Sequence, residues 1–594
     1  MAKGFGQPRS IPTRNATKFM HAFGTCYVEA KGDEKRLHQF LKANVKKLDE
    51  ALLAALPVLP PKLLTDGKFG DKENIASLLG VFGSSLLNFP LGDRALNLEL
   101  SIAAYQLALK VFTRKLSSQQ WAAIQNNLGS AYSNRIRGDR ADNLEQAIAA
   151  YELALQVRTR NALPEDWAAT QNNLGSAYSD RIRGDRADNL EQAIAAYELA
   201  LQIYTRNAFP ENWAGTQNNL AGAYSDRIRG DRADNLEQAI TACELALQVR
   251  TREAFPEQWA DTQINLGAAY YYRIQGEKSE NLELAIAAFK AALQVRTHEA
   301  FPNSWAATQN NLGNSFRDRI RGDEITNLAQ AIQAYELANQ VATCEALPED
   351  WAMHRGNLAE ALMKRAELTD NLTDLETAIT LLQEAQEVAV PGSPDYIDSQ
   401  YRLGNALHRR GERTKTADDL HKARQAYETA LNSINLDHYD RAKIWQALPT
   451  TQLLLGSLLV KNGQWQEGLQ LLLNSVRLLG DVNDHHYNRK AHADALYQTA
   501  RAHEVMADLG NARLYYRDAL RLYESLADTL GIGQSRYGLG SVLVSQGHFD
   551  KGMAELAQAR DRYRELDHSD QADEIEGLYQ IAQQAKQSLE EVTV

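Results

Sequence analysis

Apolar residues recur along this chain with the period of an α-helix. Trp167, Leu174, Tyr178 and Ile182 fall at helical spacing and form one apolar stripe. A second stripe follows at the same spacing: Leu190, Ala193, Ile194, Tyr197, Ala200 and Leu201. The pattern predicts two amphipathic helices in a row. Because neither helix can shield its stripe from water alone, each pair must stack on the next pair.

The same pattern returns at a fixed interval. Six tryptophans are spaced by 46 residues every time: Trp121, Trp167, Trp213, Trp259, Trp305 and Trp351. The unit that starts at Trp121 matches the unit that starts at Trp167 at 40 of 46 positions. One further unit precedes them, with Ile75-Ala76 in place of Trp-Ala and LGDRALNLE at 91–99. After Trp351 the units drift and shorten, and the count over the chain is about eleven helix pairs.

Local signals predict where these helices begin and end. Pro164 suits the first turn of a helix, where its missing N–H is not needed. Gly184 is expected to end that first helix in a left-handed conformation. Asn189 and Gln192 form a capping-box pattern that predicts the start of the second helix. Gly175 is small where two helix backbones are expected to approach closely.

A known family shares these features. The common pattern is Asn173-Leu174-Gly175-x-x-Tyr178, followed by Ala193, Tyr197 and Ala200. It resembles the tetratricopeptide repeat (TPR), with about six extra residues in the RIRGDRAD loop. With the phrase PEDWAATQNNLG, this long variant is similar to arrays found in bacterial proteins ahead of a caspase-like CHAT protease domain, although no CHAT domain is expected here. The resemblance implies an all-α fold, a right-handed α-solenoid with helical caps.

The change in repeat length predicts four regions. They are an N-terminal helical cap and linker (1–74), regular 46-residue repeats (75–350), diverged long repeats (351–448), and ordinary-length repeats with a C-terminal capping helix (449–594).

Charge and cysteine content narrow the class of protein. The 594 residues carry a net charge of −12, although residues 1–50 hold ten Lys/Arg against five Asp/Glu. An acidic body argues against nucleic-acid binding, which needs a basic surface. Three widely separated cysteines suit a reducing cytosol, and no apolar run is long enough to span a bilayer. We therefore expect a cytoplasmic bacterial protein, with a monomer favoured.

Few residues have the spacing of a catalytic or metal site. His21 and Cys26 could form a protease dyad, but the chain has no β-patterned region for such a fold, and a helix-packing role is favoured for Cys26. His485, His486 and His492 lie close together, yet a polar loop explains them better than a metal site. The four RGD tripeptides are interpreted as polar turns rather than adhesion motifs. We expect no enzyme activity, metal or other cofactor.

One polar slot recurs just before the leucine of each first helix. Its occupants are Asn127, Asn173, Asn219, Asn265, Asn311 and Asn357. Neighbouring slots are also neutral and polar: Asn126, Asn172, Asn218, Asn310, Ser130, Ser176 and Asn314. In TPR arrays the first helix lines the concave surface, so the resemblance implies a row of amides along a groove, similar to the asparagine ladder of O-GlcNAc transferase. An amide matches both groups of a peptide bond. The alternative is that each Asn bonds to the neighbouring helix.

Two functions follow from this sequence. The first is a non-enzymatic scaffold that binds a protein or peptide partner along the groove. The second is a regulatory or sensor subunit that acts in trans with a separate CHAT-type protease in bacterial signalling or defence. The basic residues with which chaperone-binding TPR domains hold a carboxylate are missing from the asparagine slots. The loop arginines Arg181, Arg183 and Arg186 are expected at the rim, paired with nearby acids such as Asp180, Asp185 or Glu191.

Overall fold

The secondary structure is helical throughout the residues that the computed structural model describes, which are 11–59, 71–345, 347–433, 438–481 and 486–593. The chain divides into two units, Met1–Ala300 and Phe301–Val594. In each unit consecutive helices pack in pairs, and we call the first helix of a pair helix A and the second helix B. The described residues form eleven pairs, five in the first unit and six in the second. The predicted all-α fold of stacked TPR-like pairs is confirmed.

Among the described residues, three α-helices precede the first pair. They are Ile11–Ala30, Glu34–Ala43 and Glu50–Ala55. Phe23 is fully buried there, with its ring centroid 5.8 Å from that of Phe40 and 5.0 Å from that of Phe82 in pair 1. These rings cover the apolar end of pair 1. The linker predicted before residue 75 falls largely on 60–70, outside the described residues, and the four predicted regions remain predictions.

The first unit contains pairs 1 to 5. Their helices A and B are Lys72–Leu87 and Arg94–Ala108, Ser118–Ser133 and Arg140–Leu155, Pro164–Ser179 and Arg186–Leu201, Pro210–Asp226 and Arg232–Leu247, and Pro256–Tyr272 and Lys278–Ala292.

The second unit contains pairs 6 to 11 and a last helix. The pairs are Pro302–Arg317 and Glu324–Asn339, Pro348–Thr369 and Leu372–Gln386, Pro394–Thr414 and Ala417–Leu431, His438–Lys461 and Trp465–Asp481, His486–Val505 and Leu509–Ser525, and Thr529–Ser545 and Phe549–Glu565. The last helix is Ser569–Thr593.

The helix starts follow the proline signal, but the other predicted boundaries shift. Helix A of pair 3 begins at Pro164, as predicted, and ends at Ser179. Gly184 has the left-handed conformation, with φ +82°, but it lies in the loop rather than at the helix end. Ile182 was assigned to the buried stripe, and this is wrong, because it lies beyond the helix and its side chain is 61% exposed.

The capping-box prediction is also wrong. Helix B of pair 3 begins at Arg186, and its N-cap is Asp185, whose side chain accepts a hydrogen bond from the backbone N–H of Asp188. Asn189 instead lies buried in the first turn and donates to the carbonyl of Arg183 at 2.9 Å. The RGD aspartate therefore starts the helix, and the asparagine holds the preceding loop against it.

In pair 3, helices A and B pack an aromatic ring over a glycine. A Cβ atom added to Gly175 would lie 2.7 Å from Cε1 of Tyr197. The close approach expected at Gly175 is thus to a ring, not to a backbone. In pair 9, by contrast, a Cβ added to Gly456 would lie 2.8 Å from the carbonyl oxygen of Gly468, so there the two backbones themselves meet.

Ion pairs join successive pairs in the first unit. Arg181, after helix A of pair 3, donates from Nε and Nη2 to both carboxylate oxygens of Glu145 in pair 2, at 2.7 and 2.8 Å. The same bridge recurs as Arg135–Glu99, Arg227–Glu191 and Arg273–Glu237. The nearby acids proposed as partners of Arg181 were wrong, because the arginine reaches 36 residues back along the chain.

Candidate functional site

The A helices carry the recurrent asparagines on one face, which we call the amide face. Four of the six recurrent asparagines donate from Nδ2 to Oδ1 of an asparagine on the A helix of the preceding pair. The bonds in the first unit are Asn173 to Asn126 at 3.4 Å, Asn219 to Asn172 at 3.2 Å and Asn265 to Asn218 at 3.1 Å. In the second unit Asn357 donates to Asn310 at 3.0 Å.

These bonds fix the orientation of each amide. Since Nδ2 points to the preceding helix, the Oδ1 atom of the same side chain is turned away from it. Among the described residues, no group donates a hydrogen bond to Oδ1 of Asn173, Asn219 or Asn265. The bond to the neighbouring helix, which the sequence left as an alternative, therefore coexists with a row of open acceptors.

Two members of the row depart from this arrangement. Asn127 donates to Oγ of Ser84 at 3.3 Å and accepts from Nδ2 of Asn126 at 3.2 Å, so its acceptor is already used. Nδ2 of Asn311 donates to no side chain among the described residues of the second unit. The repeating geometry thus holds best for Asn173, Asn219 and Asn265.

The neighbouring serine and asparagine slots contact a buried tyrosine. The hydroxyl of Tyr197 donates to Oγ of Ser176 at 3.0 Å. Equivalent bonds join Tyr151 to Ser130 at 3.1 Å and Tyr335 to Oδ1 of Asn314 at 2.7 Å. Burial raises the pKa of Tyr197 to about 12, and the hydrogen bond between Tyr197 and Ser176 partly opposes that shift. Ser130, Ser176 and Asn314 therefore take part in the interface between helices A and B, and their role in a groove stays a prediction.

A polar cavity of about 520 Å³ opens on the amide face between pairs 3, 4 and 5. Its walls include Asn172, Asn173, Asn219, Glu211 and Arg250. The hydroxyl of Thr216, also in the wall, donates to Oδ1 of Asn172 at 3.1 Å and stiffens that amide. The cavity joins two of the open asparagine acceptors to one cation and one anion.

Arg250 is the wall residue that the sequence did not indicate. Its Nη1 donates to Oγ1 of Thr262 at 3.1 Å, and its Nη2 lies 3.3 Å from where a Cβ on Gly215 would stand. Burial lowers the pKa of its guanidinium, while the charges of Asp261 and Glu211 oppose that shift. The equivalent position one repeat earlier holds Tyr204. Such variation within a nearly constant repeat is the sequence signal that could have pointed to Arg250 as a binding residue.

The other candidate groups have different surroundings. Sγ of Cys26 lies 3.9 Å from the carbonyl of Arg36, and burial, together with the charge of Glu29, raises the pKa of the thiol. A cysteine nucleophile needs the opposite shift. His485 lies outside the described residues, and burial lowers the pKa of His492.

Within the described ranges, no group of three or more His, Cys, Asp or Glu side chains is arranged to hold a metal ion. None of the described helices combines the length and the apolar character needed to cross a membrane.

Comparisons with known proteins agree with the repeat register. A family model described as tetratricopeptide repeat matches residues 121–158, 167–204 and 213–252, which overlap pairs 2, 3 and 4. Among solved structures, the chain is similar to the C-terminal part of a TPR repeat-containing protein from Cytophaga hutchinsonii, with 12% identity, a TM-score of 0.31, and coverage of 51% of this chain and 95% of that one. It is also similar to human IFIT1, solved as a dimer with PPP-AAAA, with 13% identity, a TM-score of 0.27, and coverage of 78% and 90%. No curated protein matches the sequence.

Proposed function

We propose that this chain of tetratricopeptide repeats is a non-enzymatic scaffold that binds a protein or peptide partner along the amide face. The observation that carries the proposal is the common orientation of Asn173, Asn219 and Asn265, each with an open Oδ1 acceptor. Three free cysteines suit action in the cytoplasm, which is part of the same proposal. The alternative of a subunit acting with a separate protease stays a prediction.

The open acceptors suit the backbone of an extended peptide. Oδ1 of each asparagine accepts a hydrogen bond from a peptide N–H, and because the three amides repeat, the bonds repeat along the peptide. With neighbouring helices about 10 Å apart and an extended chain rising about 3.3 Å per residue, one bond forms for roughly every third peptide residue. Such contacts depend little on the side chains of the partner.

The cavity adds a preference for polar side chains. Arg250 offers a donor toward it and Glu211 an acceptor, and both lie beside the amides of Asn172 and Asn173. A partner residue with an amide or hydroxyl group can satisfy both charged groups without an apolar contact. We therefore expect neutral polar residues opposite pairs 3 to 5.

The direct test uses peptides made in two forms. Fluorescein-labelled peptides of neutral polar sequence are synthesised with an ordinary backbone and with every third peptide nitrogen methylated, which removes the donor. Each lost hydrogen bond is worth about 1 kcal/mol, so three together weaken binding by about a hundredfold in fluorescence anisotropy. Equal affinity for the two forms would remove the backbone contact from the proposal.

A variant of the protein tests the same face. Ala169 lines the cavity and makes no side-chain hydrogen bond, so Ala169→Gln fills space without breaking the amide row. Ala123 occupies the same slot one repeat earlier and does not line the cavity, so Ala123→Gln is the matched control. We expect Ala169→Gln to weaken peptide binding about tenfold, the effect of about 1.4 kcal/mol, and the control to change it little.

Alanine at the asparagines themselves is a less clean variant. Asn173→Ala, Asn219→Ala and Asn265→Ala each also remove a bond between successive A helices. The triple variant is therefore expected to lose about 1 kcal/mol of stability per bond besides its binding.

A further inference from the structure

The second unit contains a cavity of about 490 Å³ whose chemistry differs from that of the amide face. Its lining comes from pairs 8, 9 and 10, at and beyond the C-terminal ends of their A helices. Leu420, Leu454 and Leu458 supply an apolar floor, of which Leu420 is fully buried. Trp465 and Val505 stand at the opening, with 47% and 52% of their surfaces exposed.

The exposed tryptophan gives this cavity the character of a binding site. Trp465 leaves a large apolar surface in water next to a floor of leucines, which costs free energy until something covers it. Tryptophan is enriched among the residues that contribute most to protein–protein binding. An apolar side chain of a partner would be sheltered by Trp465 and the floor together.

Three cations also line the cavity: Lys415, Lys461 and Arg501. All three are exposed, and in the described part of the chain none of them has an ion-pair partner. Nearby arginines in the same unit behave differently, since Arg410 binds both carboxylate oxygens of Asp419 at 2.6 and 2.8 Å. The three cations that line this cavity are therefore not held in close ion pairs.

We propose that this cavity binds a segment of a partner protein in which a bulky apolar side chain stands next to carboxylates. The apolar side chain fills the space above Leu454 and Leu458, and the carboxylates reach the three cations. A nucleic acid fits less well, because successive bases need a series of aromatic side chains and only Trp465 among the lining residues is aromatic. None of the lining residues is an amide-face asparagine, so the inference does not rest on the function proposed above.

Charge and apolar contact contribute separately to this binding. Lys461 lies in the last turn of its helix, whose C-terminal end carries partial negative charge. The carboxylate of a partner is therefore attracted by Lys461 but repelled by the helix end. The net attraction then depends on all three cations acting together. Because the ion pairs form at an exposed rim, salt screens them, and the affinity is expected to fall as ionic strength rises.

The test uses a defined peptide and the full chain. A fluorescein-labelled octapeptide with capped ends carries two central leucines flanked by glutamates. One control peptide has glutamine for each glutamate and a second has serine for each leucine. We expect the acidic, apolar peptide to bind, and each control peptide to bind at least about tenfold more weakly, which corresponds to about three exposed ion pairs or one buried leucine.

Protein variants place the contact. Lys415→Gln, Lys461→Gln and Arg501→Gln combined are expected to weaken binding about tenfold. Arg521→Gln removes an exposed cation of helix B of pair 10 that does not line the cavity, and it is expected to leave binding unchanged. Binding should also change the fluorescence of the wild-type protein, and that change should disappear in Trp465→Phe.

Several results would overturn the inference. The first is equal binding of the glutamine peptide, and the second is full affinity in the triple variant. The third is tight binding of labelled dodecanoate without binding of the acidic peptide, which would make this a lipid site. Ala169→Gln should leave binding of the acidic peptide unchanged. If it abolished that binding instead, the peptide would be bound at the amide face and this cavity would not be its site.

Discussion

Pairs 3 and 4 follow one another with nearly the same sequence, yet they fill the interface between helices A and B differently. In pair 3, Tyr197 packs against Gly175 and donates its hydroxyl to Ser176. Pair 4 has other residues at the same three positions: Ala221, Gly222 and Cys243. Cys243 replaces the tyrosine ring, and Ala221 places a methyl group where pair 3 has the glycine hydrogen. Gly222 replaces the serine acceptor, which is not needed where the tyrosine hydroxyl is absent.

The other long pairs follow the same rule. Pair 5 has Phe289 over Gly267. Phenylalanine has no hydroxyl that needs an acceptor, and the residue after the glycine is accordingly Ala268 in place of serine. Pair 8 has Tyr427, whose hydroxyl donates to Oδ1 of Asn405 at 2.7 Å. The comparison teaches that three positions vary as one set, because ring volume needs a glycine and a buried hydroxyl needs an acceptor.

Converting pair 4 toward pair 3 should give the largest effect. Cys243→Tyr alone forces a ring against Ala221 with no room for it, and we expect a loss of about 3 kcal/mol from overpacking. Adding Ala221→Gly and Gly222→Ser supplies the space and the acceptor, so the triple variant should recover most of that loss. Urea unfolding followed by circular dichroism measures both. A triple variant as unstable as the single one would break the rule.

A methyl group at the glycine of pair 3 tests the same contact from the other helix. Gly175→Ala places Cβ 2.7 Å from Cε1 of Tyr197, and we expect a loss of about 2 kcal/mol. Gly222→Ala is the matched control, since its Cβ would meet nothing within 4 Å. There the better helix propensity of alanine should stabilise the chain by up to about 1 kcal/mol. Two shifts of the same sign would contradict this account.

Removing the hydroxyl acceptor should have a smaller effect. Ser176→Ala leaves the buried hydroxyl of Tyr197 without its partner, and we expect a loss of about 1 kcal/mol in thermal or urea unfolding. The converse change, Ala268→Ser, adds an acceptor beside Phe289, which has no hydroxyl, and should not stabilise pair 5. A gain there equal to the loss in pair 3 would show that the serine acts independently of the tyrosine.

The bridge between pairs 3 and 4 should have the smallest effect, and one that depends on pH. Glu191→Gln removes the carboxylate charge and one of the two oxygens that accept from Arg227 at 2.7 Å. It should cost about 0.5 to 1 kcal/mol at neutral pH because about a quarter of each side chain is exposed.

The sign of the pH effect follows from the pKa of Glu191. The hydrogen bond from Arg227 lowers that pKa in the folded protein. The bridge therefore contributes fully above the ordinary glutamate pKa of about 4.3 and is lost as the pH falls through the lower folded value. Unfolding of wild type and variant at pH 7 and at pH 3 measures the change. A difference that grew on acidification would contradict the assignment.

The sequence predicted the features that depend on neighbouring residues within one repeat. The helical stripes, the repeat register and the start at Pro164 are local, so they could be inferred directly. The partner of Arg181 and the role of Ser176 could not, because each depends on a residue of another helix, Glu145 or Tyr197. The capping error at Asn189 has a similar cause, since two residue types suited to an N-cap lie four positions apart and only tertiary burial decides between them.

The asparagine row shows the same division. Its recurrence was visible in the sequence, but the direction of each amide was not, because that direction depends on an asparagine 47 residues earlier. Arg250 was missed because a search for repeated residues passes over a slot that changes from one repeat to the next.

The most direct test of the central claim follows the amide protons of a bound peptide. A ¹⁵N-labelled peptide of neutral polar sequence is bound to the full chain, and hydrogen exchange is measured by NMR for each of its N–H groups. If Asn173, Asn219 and Asn265 accept bonds from its backbone, protection should recur at about every third residue. Uniform protection, or none, would contradict the claim that the amide face binds a peptide by its backbone.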